Sequence, residues 1–488
     1  MSKGNSEAKV IISNAGWRFA ERISAQLVSF FVSIILARLL LPEEYGIVAI
    51  TTVFITICNV FVTSGFGAAL IQKKEADEVD FSTILFAGVG FSLILYVIIF
   101  FLAHYIALFY NLPILENVLR VMALRLPIAA INSVQQAFVA RKMIFKKFFW
   151  ATFIGTVVSA IIGVFLAYLG FGVWALVAQY LSNSFIDTIV LGGILQWKPV
   201  FKVSFKRFKE LVGFGWRLLC SDLLHTIYTQ LRSLIIGKQY LADQLAFYNK
   251  GQQIPHLFVT NVGVAISSVL FPAMSTEQDN KGKLRQMLLQ SVSVGTFIMM
   301  PIMFGLIAVA KPLIILLLTD KWILAVPFLQ MACLEFCLEP WATANLQAIK
   351  AQGAGKVYLK MEYIKKAIAM TLLLCSIHFG VYGIAASGIV YSMIDLLIDM
   401  AEIRNLMNIG IFEQLKTVFP HFMNSFIMTL IVYALSYLKF GNAITLILQV
   451  VVGMVTYIVL SILTKNPWIK FVVKILMSHK RTNKHVEE

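Results

Sequence analysis

Apolar residues occur in blocks of about 20 along almost the whole chain, separated by short polar connections. A helix of that length crosses the roughly 30 Å of hydrocarbon in a bilayer. The pattern therefore predicts an all-α polytopic membrane protein with fourteen spans, at residues 17–41, 44–69, 81–109, 117–140, 149–169, 172–196, 213–236, 245–273, 287–310, 323–349, 357–379, 382–404, 415–438 and 441–464.

The connections between these spans alternate in their Lys and Arg content. If both termini are cytoplasmic, 29 of the 41 Lys and Arg residues lie on the cytoplasmic side, 5 on the other side and 7 within spans. This asymmetry follows the positive-inside rule and predicts that orientation. It also accounts for most of the net charge of +16. Because no soluble basic surface remains, we expect no nucleic-acid partner.

The outward connections are too short to carry a catalytic domain. The longest covers about residues 312–322, and the chain has no HExxH, GxSxG or P-loop motif. We therefore expect a transporter rather than an enzyme, with no catalytic residue, cofactor or metal.

The chain repeats itself at an offset of about 200 residues. The tripeptide GWR at residues 16–18 recurs at 215–217, and ILAR at 35–38 recurs as IIGK at 235–238. Six spans separate the copies, so the copies have the same orientation, as in two-lobed transporters built from parallel repeats. The predicted organisation is an N-lobe at 1–200 (spans 1–6), a C-lobe at 201–404 (spans 7–12), and spans 13–14 with a basic cytoplasmic tail at 405–488.

Between the predicted lobes, residues 197–212 have the pattern of an amphipathic helix. Lysines and apolar residues each recur at helical spacing, as Lys198, Lys202, Lys206 and Lys209 on one face and Phe201, Phe205, Phe208 and Val212 on another. Such a helix is expected to lie in the cytoplasmic interface, as a connector that contacts anionic lipids.

Two spans carry a polar stripe on one helical face. The stripe of the first span is Arg18, Arg22, Gln26, Ser29 and Ser33, and that of the seventh is Arg217, Ser221, His225, Tyr228 and Arg232. A cation at the centre of a bilayer costs about 2.5–3.5 kcal/mol even on an insertion scale. We therefore expect the stripes to face each other across a hydrated, anion-binding cavity. For Arg18, Arg217 and Arg232, extension of the side chain to the nearer interface is the alternative.

Further charged residues lie within predicted spans. Arg120 and Arg125 are in the fourth span and Lys250 is in the eighth, and all three are candidates for the same anion site. Lys365 and Lys366, near the cytoplasmic start of the eleventh span, are expected to extend to the interface.

Four in-span acids of the second half are candidates for coupling transport to H⁺ or Na⁺: Asp222, Glu335, Glu339 and Asp395. An approximate alignment of the repeats places Arg125 opposite Glu335. An ion pair between helices is the alternative role for such residues.

Several segments together carry a resemblance to a known family: ARLLLPEEYGIVAI (37–50), GFGAALIQKKE (65–75), GWR (215–217), FYNKGQQIP (247–255) and FPAMS (271–275). The chain resembles bacterial Wzx-type polysaccharide flippases of the multidrug/oligosaccharidyl-lipid/polysaccharide exporter superfamily. Its segments are most similar to the branch that includes colanic-acid and teichuronic-acid exporters. The resemblance covers nearly the whole chain.

The resemblance implies transport of an undecaprenyl-pyrophosphate-linked oligosaccharide from the inner to the outer leaflet of the bacterial cytoplasmic membrane, for O-antigen, capsule or exopolysaccharide synthesis. It implies a cavity in which arginines meet the pyrophosphate, with Arg18, Arg22 and Arg217 as the best matches and Arg232 and Lys250 next. Membrane lipids are implied partners. A polysaccharide polymerase and the export machinery are further candidates.

Three other functions remain open from the sequence. An ion-coupled drug or cation antiporter of the same superfamily needs an acidic cavity, whereas these stripes are basic. A lipid II flippase would have a similar cavity. A membrane polysaccharide polymerase or ligase, the least favoured, needs a large outward loop that the chain does not have.

Overall fold

A computed structural model describes residues 2–64, 67, 70, 73, 76–195, 197–278, 280–438 and 440–468. These residues form helices and connecting turns. The helices are α1 (Ser2–Leu39), α2 (Pro42–Thr63), α3 (Glu78–Tyr110), α4 (Ile114–Met122), α5 (Arg125–Lys142), α6 (Phe145–Tyr168), α7 (Val173–Ile194), α8 (Phe205–Gln239), α9 (Ala242–Ser275), α10 (Lys281–Leu318), α11 (Ala325–Phe336), α12 (Glu339–Ala351), α13 (Gly355–Ser376), α14 (Gly380–Met407), α15 (Ile411–Ala434) and α16 (Asn442–Leu463).

The helices reproduce the predicted spans closely. Twelve of the predicted spans each coincide with one helix, and the fourth and tenth are each broken into two, α4–α5 and α11–α12. Among the described residues, nine helical stretches are long and apolar enough to cross a membrane. The prediction of an all-α polytopic membrane protein is therefore confirmed. The motif at 65–75 and the tail beyond residue 468 lie largely outside the described residues.

The two broken spans are the fourth span of each predicted lobe. The second segment begins at Arg125 in one copy and at Glu339 in the other. The breaks therefore align Arg125 with Glu339 rather than with Glu335, one helical turn away. The N-terminus of a helix favours an acid and disfavours a cation, so Arg125 depends on other contacts more than Glu339 does.

The motif LPEEYG at 41–46 begins α2 and allows this helix to pack closely against the start of α9. Pro42 occupies the first position of α2, and the Glu44 carboxylate accepts the Leu41 N–H (2.7 Å). A Cβ on Gly46 would lie 1.8 Å from the Ala242 carbonyl oxygen. Only glycine lets α2 come this near to the start of α9.

Contacts divide the chain into two compact units, Met1–Ala246 and Phe247–Glu488. In the first unit, α6 packs against α1 and α7, while α3 packs against α5 and α8. In the second, α10 is the central helix and contacts α11, α12, α15 and α16. The lobe boundaries at residues 200 and 404 stay predictions.

The linker differs from its prediction. Residues 197–204 are not helical, and α8 begins only at Phe205. The N–H groups of Val200 and Ser204 donate to the hydroxyls of Ser82 (2.9 Å) and Thr83 (3.2 Å). These hydroxyls fix the segment along the first turns of α3, an interaction that helical periodicity cannot reveal.

A charged cluster secures α8 to the start of α3. The Asp80 carboxylate is fully buried, 2.7 Å from Lys73 Nζ and 3.4 Å from Arg207 Nη1. Asp77 caps α3 by accepting the Asp80 N–H (3.0 Å). A hydrogen bond from Arg207 lowers the pKa of Asp77 to about 2. The anionic form of Asp77 therefore stabilises the fold above about pH 4, and this stabilisation is lost as the pH falls towards 2.

We expect Asp80→Asn to lower the free energy of unfolding by about 1.5–3 kcal/mol, because it removes the buried negative charge to which Lys73 and Arg207 donate. Glu78 lies in the same helical turn but is exposed, so Glu78→Gln is the matched control and should stay within about 0.5 kcal/mol of the parent. Thermal unfolding of the purified protein measures both. Equal melting temperatures for the two variants would refute the role of Asp80.

Candidate functional site

The first unit contains a cavity of about 710 Å³ between α1, α2, α5, α6 and α7. Its wall carries the predicted cations Arg18 and Arg125. Polar and acidic side chains line it as well, including Asn132, Gln136, Asn183, Ser184 and Asp187. Its volume is in the range of small-molecule sites, although most of those are lined mainly by apolar residues.

Arg125 lies at the N-terminus of α5, where the helix dipole disfavours a cation. Contacts from α7 hold it in the cavity wall instead. Its Nε–H donates to Ser184 Oγ (3.1 Å), and its guanidinium lies 5.4 Å from the centre of the Tyr180 ring. Within the described part of the chain its two Nη atoms have no hydrogen-bond partner. A planar fork of N–H donors is thus positioned at the cavity with capacity to bind an anion.

Arg18 reaches the same cavity from α1. Its guanidinium lies 5.1 Å from the centre of the Phe148 ring and 5.8 Å from that of Phe145, both on α6. Its Nη1 also makes an ion pair with Glu21 (3.2 Å). The aromatic rings orient the guanidinium through cation–π attraction without occupying its hydrogen-bonding capacity.

Asp187 is a cavity residue that the sequence analysis missed. Asn132 Nδ2 donates to its Oδ2 (3.2 Å), while its Oδ1 is buried and has no hydrogen-bond partner in the described residues. Gly155 makes room for it, since a Cβ there would lie 3.2 Å from Asp187 Cβ. A lone acid in the apolar block 173–194 is the signal that could have found it.

The cavity can therefore bind an anionic, hydroxyl-rich molecule. Two guanidinium groups provide charge-assisted donors for phosphate oxygens. The amides of Asn132, Gln136 and Asn183 provide donors and acceptors suited to sugar hydroxyls.

Among the described side chains of the two predicted stripes, only Arg18 lines this cavity. Arg22 is exposed on α1 and interacts electrostatically with Glu21. Arg232 is half-buried on α8. The side chain of Arg217 lies outside the part of the chain that the structure describes. Their substrate roles stay predictions.

Arg120, the other fourth-span arginine, lies in a different place. It pairs with Glu116 (2.8 Å), donates from Nε to the Phe100 carbonyl (3.1 Å) and lies 4.4 Å from the centre of the Phe100 ring. It lines a separate cavity of about 440 Å³ with Tyr96 and Trp174. These contacts correspond to a structural ion pair.

Lys250 is buried in the second unit. Its Nζ donates to Gln253 Oε1 (3.3 Å) and lies 5.7 Å from the centre of the Trp322 ring. The neighbouring Gly251 permits this burial, because a Cβ there would lie 2.6 Å from Phe328 Cβ. Lys250 belongs to the second unit and is not among the residues that line the cavity of the first unit.

The second unit holds a buried charged cluster on α12, α13 and α14. Lys365 Nζ lies 2.6 Å from Asp399 Oδ1 and 3.1 Å from Asp395 Oδ1, and both Lys365 and Asp399 are almost fully buried. The hydroxyl of Tyr391 donates to Asp395 (3.2 Å), and Glu339 interacts electrostatically with Asp395 and Lys365. The expectation that Lys365 extends to the interface is wrong, because two carboxylates one turn apart on α14 hold it inside.

Two other acids predicted from the sequence, Glu335 and Asp222, belong to different units. Glu335 packs on α14 at Gly388, where a Cβ would lie 2.4 Å from its Oε2, and it interacts electrostatically with Glu339. Asp222 is exposed on α8, in the first unit. The structure therefore brings Glu335, Glu339 and Asp395 together within the second unit, and Asp222 belongs to the first unit.

Comparison with known proteins identifies the class. The family model described as "Polysaccharide biosynthesis protein" matches residues 35–327. The chain belongs to this family.

Two curated relatives are succinoglycan biosynthesis transport protein ExoT of Rhizobium meliloti (strain 1021) and teichuronic acid biosynthesis protein TuaB of Bacillus subtilis (strain 168). ExoT is 27% identical, over 75% of this chain and 74% of its own. TuaB is 23% identical, over 71% of this chain and 72% of its own.

Two solved structures share the fold. The lipid II flippase MurJ in an inward closed conformation superposes with a TM-score of 0.74 at 15% identity, over 93% of this chain and 99% of that one. An inward-facing multidrug resistance transporter of the MATE family gives a TM-score of 0.61 at 17% identity, over 78% and 96%. At these identities the likeness concerns the fold alone.

We expect Lys365→Met to lower the free energy of unfolding by about 3–5 kcal/mol, because it leaves buried carboxylates without their cation. Lys360→Met, at an exposed position on the same helix, is the control and should have little effect. Thermal unfolding tests this, and the double variant Lys365→Met with Asp399→Leu should recover part of the loss. A Lys365→Met protein as stable as the control would show that the cluster contributes nothing to the fold.

Proposed function

We propose that this protein moves lipid-linked oligosaccharide units, carried on undecaprenyl pyrophosphate, from the inner to the outer leaflet of the bacterial cytoplasmic membrane. The proposal includes cytoplasmic termini, a two-lobed repeat organisation, alternating access and transport without enzymatic chemistry. A polymerase and the export machinery of surface polysaccharides would receive its product.

The observation that carries this proposal is the cavity with Arg18 and Arg125 in its wall. Pyrophosphate is a dense anion that suits two guanidinium forks, because each can form bidentate hydrogen bonds and stays protonated. The amide-rich wall offers partners for the sugar hydroxyls that hydrocarbon cannot. The names of ExoT and TuaB, which refer to succinoglycan biosynthesis transport and to teichuronic acid biosynthesis, support the same cargo.

Two acids near the arginines offset part of the positive charge of the cavity before cargo binds. Glu21 pairs with Arg18, and Asp187 lines the same cavity and interacts electrostatically with Glu21. When phosphate binds, it would replace these carboxylates as the counter-ion of the arginines. When phosphate leaves, they would stabilise the free arginines and so favour release.

The charge of the cargo also contributes to the direction of transport. An inside-negative potential favours outward movement of a negative head by about 2.3 kcal/mol per charge per 100 mV. Return of the empty carrier needs a second step, for which a coupled ion is a sufficient source of free energy.

The cluster around Lys365 is the proposed coupling site. Lys365 faces Asp395 and Asp399, with Glu339 nearby, so carboxylates outnumber the cation. Buried excess negative charge favours uptake of a proton or a small cation. Among the acids predicted from sequence, Asp395 and Glu339 fit the coupling role better than Asp222, because both interact with Lys365.

A drug or cation antiporter is the rival function that shares the fold. Arg18 and Arg125 would repel an organic cation from the cavity, which disfavours that rival. Lipid II carries the same pyrophosphate, so complementation of peptidoglycan export separates the second rival from our proposal.

We expect Arg125→Gln to reduce transport at least tenfold, because it removes charge-assisted bonds worth about 1.5–3 kcal/mol to the bound phosphate. Arg120→Gln, which removes the same charge from the same predicted span, should reduce transport much less. Flipping of a fluorescent undecaprenyl-pyrophosphate oligosaccharide in proteoliposomes measures both, with the amount of reconstituted protein as the control. Equal transport by the Arg125→Gln variant and the parent would refute the anion-site assignment.

We expect Asp395→Asn to abolish the response of transport to an imposed H⁺ or Na⁺ gradient while leaving cargo binding intact, because it removes one carboxylate from the proposed ion site. Glu402→Gln, a half-buried acid two turns later on the same helix, is the control and should keep the parent's response. Transport measured with and without each gradient tests this. A gradient response that survives in Asp395→Asn would remove the cluster from the coupling mechanism.

A further inference from the structure

A third cavity, of about 520 Å³, lies at the ends of α3, α5 and α6, next to the non-helical linker. It is lined by three aromatic rings, three cations, two acids and two small or aliphatic residues: Phe81, Phe138, Trp197, Arg141, Lys142, Lys147, Asp77, Glu78, Ala76 and Ile144. None of these residues lines the cavity proposed for the cargo.

The aromatic rings form a packed apolar wall. Phe81 lies 5.6 Å from Phe138 and 5.9 Å from Trp197, and the rings of Phe138 and Trp197 stack with centroids 6.1 Å apart. These rings are part of a hydrophobic cluster that also includes Leu70 and Leu85. Such a surface favours the glycerol and upper acyl region of a lipid over a free ion.

The three cations of this cavity differ in how many of their hydrogen-bond donors already have an acceptor. Arg141 donates to the carbonyls of Leu70 (2.9 Å) and Lys73. Lys147 is exposed and makes one long hydrogen bond, to the Ile194 carbonyl (3.4 Å). Lys142 is exposed and has no partner in the described residues. Lys142 and Lys147 therefore have donors to offer an anion.

The two acids do not cancel this positive charge. Asp77 is paired with Arg207, and Glu78 alone opposes the three cations. In addition, the buried indole N–H of Trp197 has no acceptor in the described part of the chain. A buried donor without an acceptor costs about 1–3 kcal/mol, and a phosphate oxygen is a suitable acceptor.

We propose that this cavity binds the phosphate headgroup of an anionic membrane phospholipid through Lys142 and Lys147, with the lipid's glycerol and upper acyl chain against the aromatic wall. Basic pockets between membrane helices are known to bind anionic headgroups. The bound lipid would join α3, α5 and α6 at their ends and so stabilise the first unit. The proposal does not depend on the identity of the transported cargo.

The test uses the full-length protein in neutral detergent, titrated with phosphatidylglycerol and followed by native mass spectrometry and by melting temperature. The test variant is Lys142→Gln with Lys147→Gln. The matched control is Lys146→Gln with Lys198→Gln, which removes the same charge at exposed neighbouring positions that do not line the cavity. We expect the test variant to raise the apparent Kd about 25-fold, about fivefold per lysine, and the control variant to raise it less than threefold.

Three outcomes would overturn the proposal. Equal weakening by both variants would mean diffuse attraction to a basic surface. Equal binding of phosphatidylcholine would mean no recognition of the headgroup's charge, and displacement of the lipid by millimolar inorganic phosphate would mean a free-phosphate site. Ala76→Phe gives an independent reading, because it fills the cavity and leaves every charge in place. Loss of lipid binding in this variant supports the proposal, and undiminished binding refutes it.

Discussion

A charged side chain within a bilayer has to reach water or a partner, because hydrocarbon solvates neither charge nor unpaired backbone. The in-span cations of this chain meet that requirement in two ways. Lys365 is paired with Asp399 in the interior, and the half-buried Arg120 is paired with Glu116. Arg18 and Arg125 instead line the 710 Å³ cavity, where Arg18 pairs with Glu21 through one Nη atom and the two Nη atoms of Arg125 have no partner in the described residues. This difference distinguishes cations that hold the fold together from cations available to a ligand.

The membrane spans could be predicted because the determinants are local. An apolar block of sufficient length indicates a helix in hydrocarbon, whatever segments pack beside it. Likewise, the start of α2 is set by Pro42 and Glu44 within one turn. The breaks at residues 123–124 and 337–338 were not predicted, because residues 117–140 and 323–349 were each interpreted as one uninterrupted span. The linker at 197–204 was predicted to be helical because its periodicity was sound, while the hydroxyls of α3 that extend it lie more than 110 residues away.

The candidate site was predicted in part. Arg18 and Arg125 were both named from the sequence, but Arg18 was grouped with the seventh-span stripe, whereas α6 and its aromatic rings are what orient it. Arg120 and Arg125 looked equivalent, five residues apart on one span. Only their different neighbours, Glu116 and Phe100 against Ser184 and Tyr180, tell them apart. Partner choice between distant helices cannot be read from one sequence, and Lys365 and Asp187 were misjudged or missed for that reason.

The paired interruptions, one opening at Arg125 and the other at Glu339, have an evolutionary consequence. An ancestral half-length gene that already contained the interruption would have passed it to both descendants when it doubled. Under the predicted repeat, the opposite charges of Arg125 and Glu339 would then have been acquired at one inherited helix start, with no change of fold. The proposed anion site at Arg125 and the proposed ion site at Glu339 would thus differ by substitutions at matching positions. An undivided ancestor would have needed only one of these two sites.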